Sequence, residues 1–169
     1  AEHVVTASGN HVQRTAKMLG IKMPAIPVDH QFIVMDQDPA LVEYRAAGNP
    51  EHPVIRDAYA QSYVREERGG WILGVYEKNG VWGFVHGVPD IFGAELFQIN
   101  LEGIEEQDRA MIQRMPGWEG SGLKGVLNGP ICHPSDGNQR VGPAPGLRNM
   151  WPREGFSFGI TAAEGTGYY

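Results

Sequence analysis

The sequence is poor in several features that define whole classes of protein. It contains one cysteine, Cys132, so no internal disulfide can form and a reducing compartment is expected. Its 14 lysines and arginines are outnumbered by 20 aspartates and glutamates, which gives a formal net charge of −6. This sign argues against nucleic acid or an anionic membrane surface as the main partner. No apolar run approaches the length of about 18 residues that predicts a membrane span.

Metal-binding and nucleophile patterns are also scarce. The six histidines show no H-E-x-x-H spacing, and one cysteine cannot build a cysteine-rich zinc site. Cys132 and His133 are adjacent, and neighbouring residues of a strand point to opposite faces, so they would not pair as nucleophile and base. We therefore expect a buried structural cysteine, with a cysteine hydrolase that uses Cys132 as a weaker alternative.

Glycine and proline are abundant instead. The chain has 23 glycines and 12 prolines, and 41% of its residues are hydrophobic, which predicts a strand-rich and turn-rich globular fold. The first residue is Ala1 rather than Met, and the chain ends soon after the start of a predicted helix. We expect a processed or truncated chain.

Hydrophobic periodicity predicts alternating strands and helices. The predicted elements are a strand at 4–7, a helix that carries residues 12, 16 and 19 and stops at residue 20, a strand at 30–35, a hairpin at 61–76, a helix at 100–115 and strands at 124–131 and 147–151. Residues 36–53 are polar and proline-containing, so they are expected to be a loop. Residues 155–163 are predicted to be a glycine turn that opens a last helix.

Alternation along the hairpin places Tyr63, Arg65 and Glu67 on one strand face. Arg65 on that face is a candidate to bind a substrate carboxylate through a bidentate pair. Glu66 and Glu67 could form a catalytic carboxylate pair, but a solvated strand face is the expected role of such a charged run.

Two glycine-rich segments can be compared with phosphate-binding turns. Residues 120–125 match G-x-G-x-x-G, but a helix precedes them and a strand follows, so a surface turn is expected. Residues 155–160 have the favourable order of strand, turn and helix. Free N–H groups at that helix end would suit an anionic oxygen, a phosphate or a reduced cofactor ring, and simple helix capping is the alternative.

Taken together, short motifs in the order of a known family cover nearly the whole chain. They are residues 4–9 (VVTASG), 27–32 (PVDHQF), 54–57 (VIRD), 62–67 (SYVREE), 74–77 (GVYE), 127–130 (LNGP), 141–143 (VGP) and 155–160 (GFSFGI). This ordered set resembles the FAD-dependent oxidoreductases of the D-amino-acid-oxidase superfamily, and most closely the dimethylglycine and sarcosine dehydrogenase group.

The resemblance implies an α/β to α+β fold. Partial flavin-binding Rossmann-type elements at both ends would flank a mostly antiparallel substrate-domain sheet. The implied domains are an FAD-domain strand and helix at 1–23, a substrate domain at 24–125 and a C-terminal FAD-domain segment at 126–169. In that family the dinucleotide-binding G-x-G-x-x-G lies far upstream of the position that matches Val4, so a missing N-terminal FAD-binding segment or a partner chain is expected.

The resemblance also implies the chemistry and its residues. Members of the group take a hydride from the N-methyl carbon of a secondary or tertiary amine to flavin N5, and the iminium product hydrolyses to formaldehyde. His30 and Tyr63 match active-site positions, expected on neighbouring strands that face the flavin. Gly9 and His11 match contacts beside the dinucleotide, although the family has a bulky aromatic residue near the position of His11. The segment that would pass beneath the flavin ring comprises Gly155, Phe156, Ser157, Phe158, Gly159 and Ile160.

The expected function is therefore FAD-dependent demethylation of an N-methyl amine or amino acid such as dimethylglycine or sarcosine. The alternative is a non-catalytic fragment or subunit that needs a separate chain carrying the ADP-binding half. A cytoplasmic location is expected, or the mitochondrial matrix in a eukaryote.

Overall fold

The computed structural model describes residues 1–168. The strands of this part of the chain are Val4–Thr6 (β1), Ala25–Gln37 (β2), Ile55–Asp57 (β3), Ser62–Glu67 (β4), Gly70–Val75 (β5), Leu123–Pro134 (β6), Arg140–Val141 (β7) and Met150–Glu154 (β8). The α-helices are Val12–Leu19 (α1), Pro39–Ala46 (α2), Glu105–Arg114 (α3) and Gly159–Tyr168 (α4). No helix among residues 1–168 is long and apolar enough to cross a membrane.

The chain forms two compact units. The first unit consists of residues 1–29, 81–95 and 130–168, and the second of residues 30–80 and 96–129. The expected domain boundaries after residues 23 and 125 differ from the points where the chain passes from one unit to the other. They remain a proposal, because compactness alone does not identify the residues that bind cofactor or substrate.

The first unit contains a small three-stranded sheet in the order β1-β8-β7. β1 and β8 are parallel, and each leads into a helix, α1 and α4 respectively. Helix α1 ends at Gly20, whose left-handed φ of 68° closes the helix as the sequence predicted. A small core of Val12, Ala16, Met23, Ala25 and Cys132 lies in this unit.

The second unit is built on a five-stranded sheet in the order β3-β4-β5-β2-β6. The predicted β4–β5 hairpin is confirmed, and its strands are antiparallel with Tyr63 opposite Gly74. Strand β2 lies on the other side of β5 and pairs antiparallel with it, so that Phe32 is also opposite Gly74. The mixed α/β fold with a mostly antiparallel sheet therefore agrees with the expectation.

The two faces of this sheet have different roles. Along β4, Ser62, Val64 and Glu66 are buried while the alternate residues are partly exposed. The buried face belongs to the core of the second unit, which includes Ile33, Leu73 and, on helix α3, Met111. The opposite face carries Tyr63, Arg65 and Glu67, as the alternation predicted.

The structure corrects the sequence-based prediction of a loop and the start of one strand. Residues 36–53 are not all loop, because α2 occupies Pro39–Ala46. The Asp38 carboxylate accepts a hydrogen bond from the Ala40 N–H, and Pro39 occupies the first turn, where its missing N–H costs little. The last strand begins at Met150 rather than at residue 147, after Asn149 takes a positive φ of 61°.

Candidate active site and cofactor-binding elements

Aromatic and charged side chains gather at one end of the sheet in the second unit. The ring centroids of His30 and Tyr76 are 5.5 Å apart, and those of Tyr63 and Tyr76 are 5.8 Å apart. The His30 Nδ1 atom lies 2.9 Å from Glu77 Oε2. The guanidinium carbon of Arg56 lies 5.0 Å from the Tyr76 ring centroid. We call His30, Tyr63, Tyr76 and Glu77 the ring cluster.

Strand register explains why these residues meet. Tyr63 on β4 and Phe32 on β2 both lie opposite Gly74 of β5, and His30 comes two residues before Phe32 on the same face. His30 and Tyr63 are thus brought together, but the expectation that their strands are neighbours is wrong. β5 separates the strands, and Tyr76, just beyond β5, bridges the two rings.

The ring cluster favours a protonated Tyr63 phenol. Burial is the largest cause that raises the pKa of Tyr63, and the nearby Tyr76 and Glu77 raise it further. Arg65 opposes this by lowering the pKa. The net shift is upward, so the hydroxyl is a hydrogen-bond donor at neutral pH.

Arg65 is engaged with its own strand. Its Nη1 atom donates to Glu67 Oε2 at 2.7 Å and to the Glu66 carbonyl oxygen at 3.0 Å. Its side chain remains 42% exposed. An external carboxylate that binds the guanidinium would therefore share it with Glu67 or compete with Glu67 for it.

Glu66 contradicts the expected solvated strand face. Its side chain is 8% exposed and accepts hydrogen bonds from the backbone N–H and the ring Nδ1 of His52. Arg45 Nε lies 3.6 Å from its other oxygen. The His52 N–H lowers the pKa of Glu66 most, and the His52 ring and Arg45 add to this against the opposing effect of burial. Glu66 and Glu67 do not form a catalytic pair, because they lie on opposite faces.

The segment 155–160 forms a tight turn into α4 in the first unit. Gly155 has a φ of 74°, and a Cβ there would lie 2.7 Å from Pro134 Cγ, so only glycine fits. The Ser157 hydroxyl donates to the Cys132 carbonyl oxygen at 3.1 Å, which holds the turn against β6. The opening N–H groups of α4 have no carbonyl partner earlier in the helix.

The side chains of this segment differ in exposure. Phe158 is 49% exposed and Ile160 is 97% exposed, whereas Gly155 is buried and Phe156 is half-buried. The backbone of the turn, rather than a set of buried side chains, is therefore the part suited to contact a cofactor ring.

The turn between β1 and α1 contains polar atoms without a partner. The buried Thr6 Oγ1, Asn10 Oδ1 and His11 Nδ1 atoms form no hydrogen bond within the described residues. The His11 Nε2 atom lies 3.1 Å from the Phe92 carbonyl oxygen, which anchors the ring. Gly9 has a φ of 56° with open space around its Cα. The expected contact positions Gly9 and His11 thus lie beside atoms that a polar ligand could satisfy.

A buried carboxylate holds this turn in place. Glu154, at the end of β8, is 1% exposed. Its two oxygens accept hydrogen bonds from the Ser8 N–H at 3.0 and 2.9 Å, and one of them also accepts from the Ser8 hydroxyl at 2.8 Å. The Thr15 hydroxyl donates to the Ser8 oxygen at 2.7 Å. This network fixes the start of α1 relative to β8.

The other candidate sites are excluded on structural grounds. Cys132 is buried, and burial together with the nearby Glu154 charge raises the pKa of its thiol to about 11, so it is a poor nucleophile. Residues 120–125 lead into strand β6 rather than into a helix, as expected for a surface turn. Among residues 1–168, no group of three or more histidines, cysteines or acidic residues could hold a metal ion.

Sequence reasoning did not select Tyr76, Glu77 or Arg56 as site residues. All three lie in the quoted motifs 54–57 and 74–77, so the resemblance contained the signal. Their proximity to His30 became visible only with the register of β2 against β5.

Comparison with known proteins places these elements in a family. Residues 1–169 match the family model described as "DAO: FAD dependent oxidoreductase". The chain is 37% identical to mitochondrial dimethylglycine dehydrogenase of Homo sapiens, with 100% of this chain and 20% of the relative aligned. It is 29% identical to mitochondrial sarcosine dehydrogenase of Homo sapiens, with 97% and 17% aligned. The chain thus spans about a fifth of the length of the curated relatives it matches.

Solved structures agree at the level of the fold. L-proline dehydrogenase from P. horikoshii superposes with a TM-score of 0.73 at 20% identity, covering 98% of this chain and 40% of that one. The ordered motifs, the sheet and the full-length family match agree with one another. The chain therefore belongs to the DAO family of FAD-dependent oxidoreductases, and FAD is the cofactor of that family.

Proposed function

We propose that this chain forms part of an FAD-dependent enzyme that demethylates a secondary or tertiary N-methyl amine or amino acid such as dimethylglycine or sarcosine. The ring cluster is the observation that carries the proposal. It joins a histidine, two tyrosines and a carboxylate at one end of the sheet, next to arginines that suit an amino acid carboxylate. The names of the dimethylglycine and sarcosine dehydrogenase relatives support this substrate class.

The residues of the first unit fit FAD. The unpartnered polar atoms at Thr6, Asn10 and His11 offer hydrogen bonds to a polar ligand. The open N–H groups at the start of α4 and the positive end of its dipole would stabilise negative charge on the pyrimidine edge of the ring. When bound, FAD would supply the oxidising group, taking a hydride at N5 from the N-methyl carbon.

The ring cluster would control the amine. An ammonium ion has no lone pair with which to form the C=N bond of the iminium product, so its proton must leave first. His30 is suited to accept that proton, and the protonated Tyr63 hydroxyl is suited to orient the substrate. Arg65 would bind the carboxylate of an amino acid substrate, which would take the place of the Glu67 carboxylate at Nη1.

The test is amine-dependent bleaching of the flavin absorption band in the intact protein. His30→Ala and Tyr63→Phe are expected to slow bleaching on the order of a hundredfold or more. His86→Ala and Tyr59→Phe are the matched controls, because both side chains are exposed and lie outside the ring cluster. If both cluster variants bleach at the wild-type rate, the catalytic role assigned to the cluster is wrong.

A second candidate function is that of a subunit or fragment that works only with a chain carrying the ADP-binding half. The specific support is strand β1, which has a strand partner on one side only within the described residues, β8. Val4 and Val5 on β1 are 41% and 62% exposed, so both faces of this strand are open to further packing. In this proposal β1–α1 and β8–α4 are Rossmann-type elements completed by that half.

Purification distinguishes the two candidates. A second polypeptide that copurifies in fixed ratio, together with a stoichiometric flavin band, supports the subunit. Stoichiometric flavin on a single polypeptide contradicts it.

The curated relatives are named as mitochondrial enzymes, which supports the mitochondrial matrix as the location if the source is a eukaryote.

A further inference from the structure

Each carboxylate oxygen of Glu77 has one hydrogen-bond partner on β2. Oε2 lies 2.9 Å from His30 Nδ1, and Oε1 accepts from the backbone N–H of Gln31 at 2.9 Å. The side chains of His30 and Glu77 are 13% and 8% exposed. Adjacent residues of one strand thus present a ring and a backbone donor to the same buried carboxylate.

The backbone donor is fixed in place. Gln31 is 2% exposed. Its side-chain oxygen accepts from the Asn100 N–H at 2.7 Å, and its side-chain nitrogen donates to the Asn100 carbonyl oxygen at 2.9 Å. Because β2 is held in this way, the carboxylate cannot turn away from His30 without leaving the buried Gln31 N–H unpaired, which is costly.

We propose that Glu77 is the positioning residue that fixes the tautomer of His30, with the proton on Nδ1 and the lone pair on Nε2. A carboxylate accepts hydrogen bonds and cannot donate them, so the neutral ring must keep its proton on the nitrogen facing Glu77. The Nε2 atom forms no hydrogen bond within the described residues and is left available as a base.

The chemical role of this tautomer rests on the proposed function. An N–H bond of the substrate ammonium breaks, an Nε2–H bond forms on His30, and the nitrogen recovers its lone pair. Bound FAD would then supply the oxidising group that accepts a hydride from the N-methyl carbon. The positive charge gained by the imidazole is stabilised by the Glu77 carboxylate.

Glu77→Gln gives a sharp test because an amide has only one oxygen. The Gln31 N–H cannot change its role, so it takes that oxygen and the amide NH₂ faces His30 Nδ1. The ring is then expected to switch its proton to Nε2. Glu106→Gln is the matched control, since Glu106 is an exposed carboxylate paired with Lys78.

The measurement is nitrogen NMR of the intact protein labelled with ¹⁵N in its histidine rings, with the His30 signals identified by their loss in His30→Ala. We expect wild type and Glu106→Gln to show Nδ1 protonated and Nε2 unprotonated, and Glu77→Gln to show the reverse. Wild type alone tests the proposal if the variant does not fold. An Nε2-protonated neutral ring in wild type, or an unchanged tautomer in folded Glu77→Gln, overturns it.

Amine oxidation by the same variants separates this inference from the proposed function. We expect Glu77→Gln to lower kcat on the order of a hundredfold with little change in KM, because binding is retained and the base is lost. A tautomer switch without a fall in kcat would support the positioning role of Glu77 and refute the catalytic role of His30.

Discussion

The ring of Tyr63 lies so close to the backbone of Gly74 that a Cβ atom at residue 74 would overlap Tyr63 Cζ. The two residues are directly opposite each other in the β4–β5 pair. The absence of a side chain at Gly74 is therefore what allows the ring to cross the sheet towards Tyr76.

Replacement of Gly74 by alanine should displace the Tyr63 ring. We expect a loss of about 1 to 3 kcal/mol in the free energy of unfolding, as for overpacked sites, together with slower amine oxidation. Gly125→Ala is the matched control, because Gly125 also lies in a strand but a Cβ atom added to it would have no other atom within 4 Å. Chemical denaturation of both variants checks the prediction, and equal losses would contradict it.

Arg65 should discriminate between amines with and without a carboxylate. Arg65→Ala is expected to raise KM for a carboxylate-bearing amine on the order of tenfold, because a charged hydrogen bond is lost, and to leave amines without a carboxylate unaffected. Glu67→Gln should lower KM for the former, since the guanidinium is released. Steady-state kinetics decide this, with the exposed Arg109→Ala as control. A rise in KM for both substrates would assign Arg65 a general structural role.

The stabilising contribution of Glu66 to the fold should be lost in acid. Its pKa is lowered in the folded state, chiefly by the His52 N–H, so it contributes stability above its unfolded value of about 4.3. That contribution is lost as the pH falls through the lowered pKa of the folded state. The difference in unfolding free energy between wild type and Glu66→Gln should therefore be largest near pH 7 and shrink below about pH 4. Exposed Glu43→Gln should show no such trend.

Cys132 should make the stability of the fold depend on pH in the alkaline range. Because burial raises the pKa of its thiol to about 11, the folded state keeps the proton that the unfolded chain releases near its ordinary pKa of about 8.5. Its stabilising contribution is complete below about pH 8.5 and is lost as the pH rises through 11. A Cys132→Ser variant should lack this alkaline trend.

Alkylation of Cys132 in the native protein at pH 8 should be far slower than that of a free thiol, and rapid alkylation would contradict the burial of the side chain.

The sequence predicted local structure well where the pattern was simple. The β4–β5 hairpin, with Gly69 at a φ of 80°, and the end of α1 at Gly20 follow directly from turn and cap chemistry. Helix α2 was missed because Pro39 was interpreted as a loop residue. The preceding Asp38 and the position of proline in a first turn were the signal for a helix start.

Features that depend on pairing between distant strands were harder to predict. Alternation on β4 places Glu66 on the face opposite Tyr63, but only the tertiary structure shows that this face is buried against His52. The contact of His30 with Glu77 requires the register of β2 against β5, and no local pattern encodes a register across that distance.

The interleaved order of the two units has a consequence for synthesis on the ribosome. All of the second unit lies within residues 30–129, so it can fold while the chain is still being made. β1 cannot: Val4 pairs with Met150, and at typical elongation rates this partner emerges roughly 7 to 30 seconds later. Throughout that interval β1 lacks β8, its strand partner within the described residues. The sheet of the first unit is therefore expected to be completed only after the second unit has been synthesised.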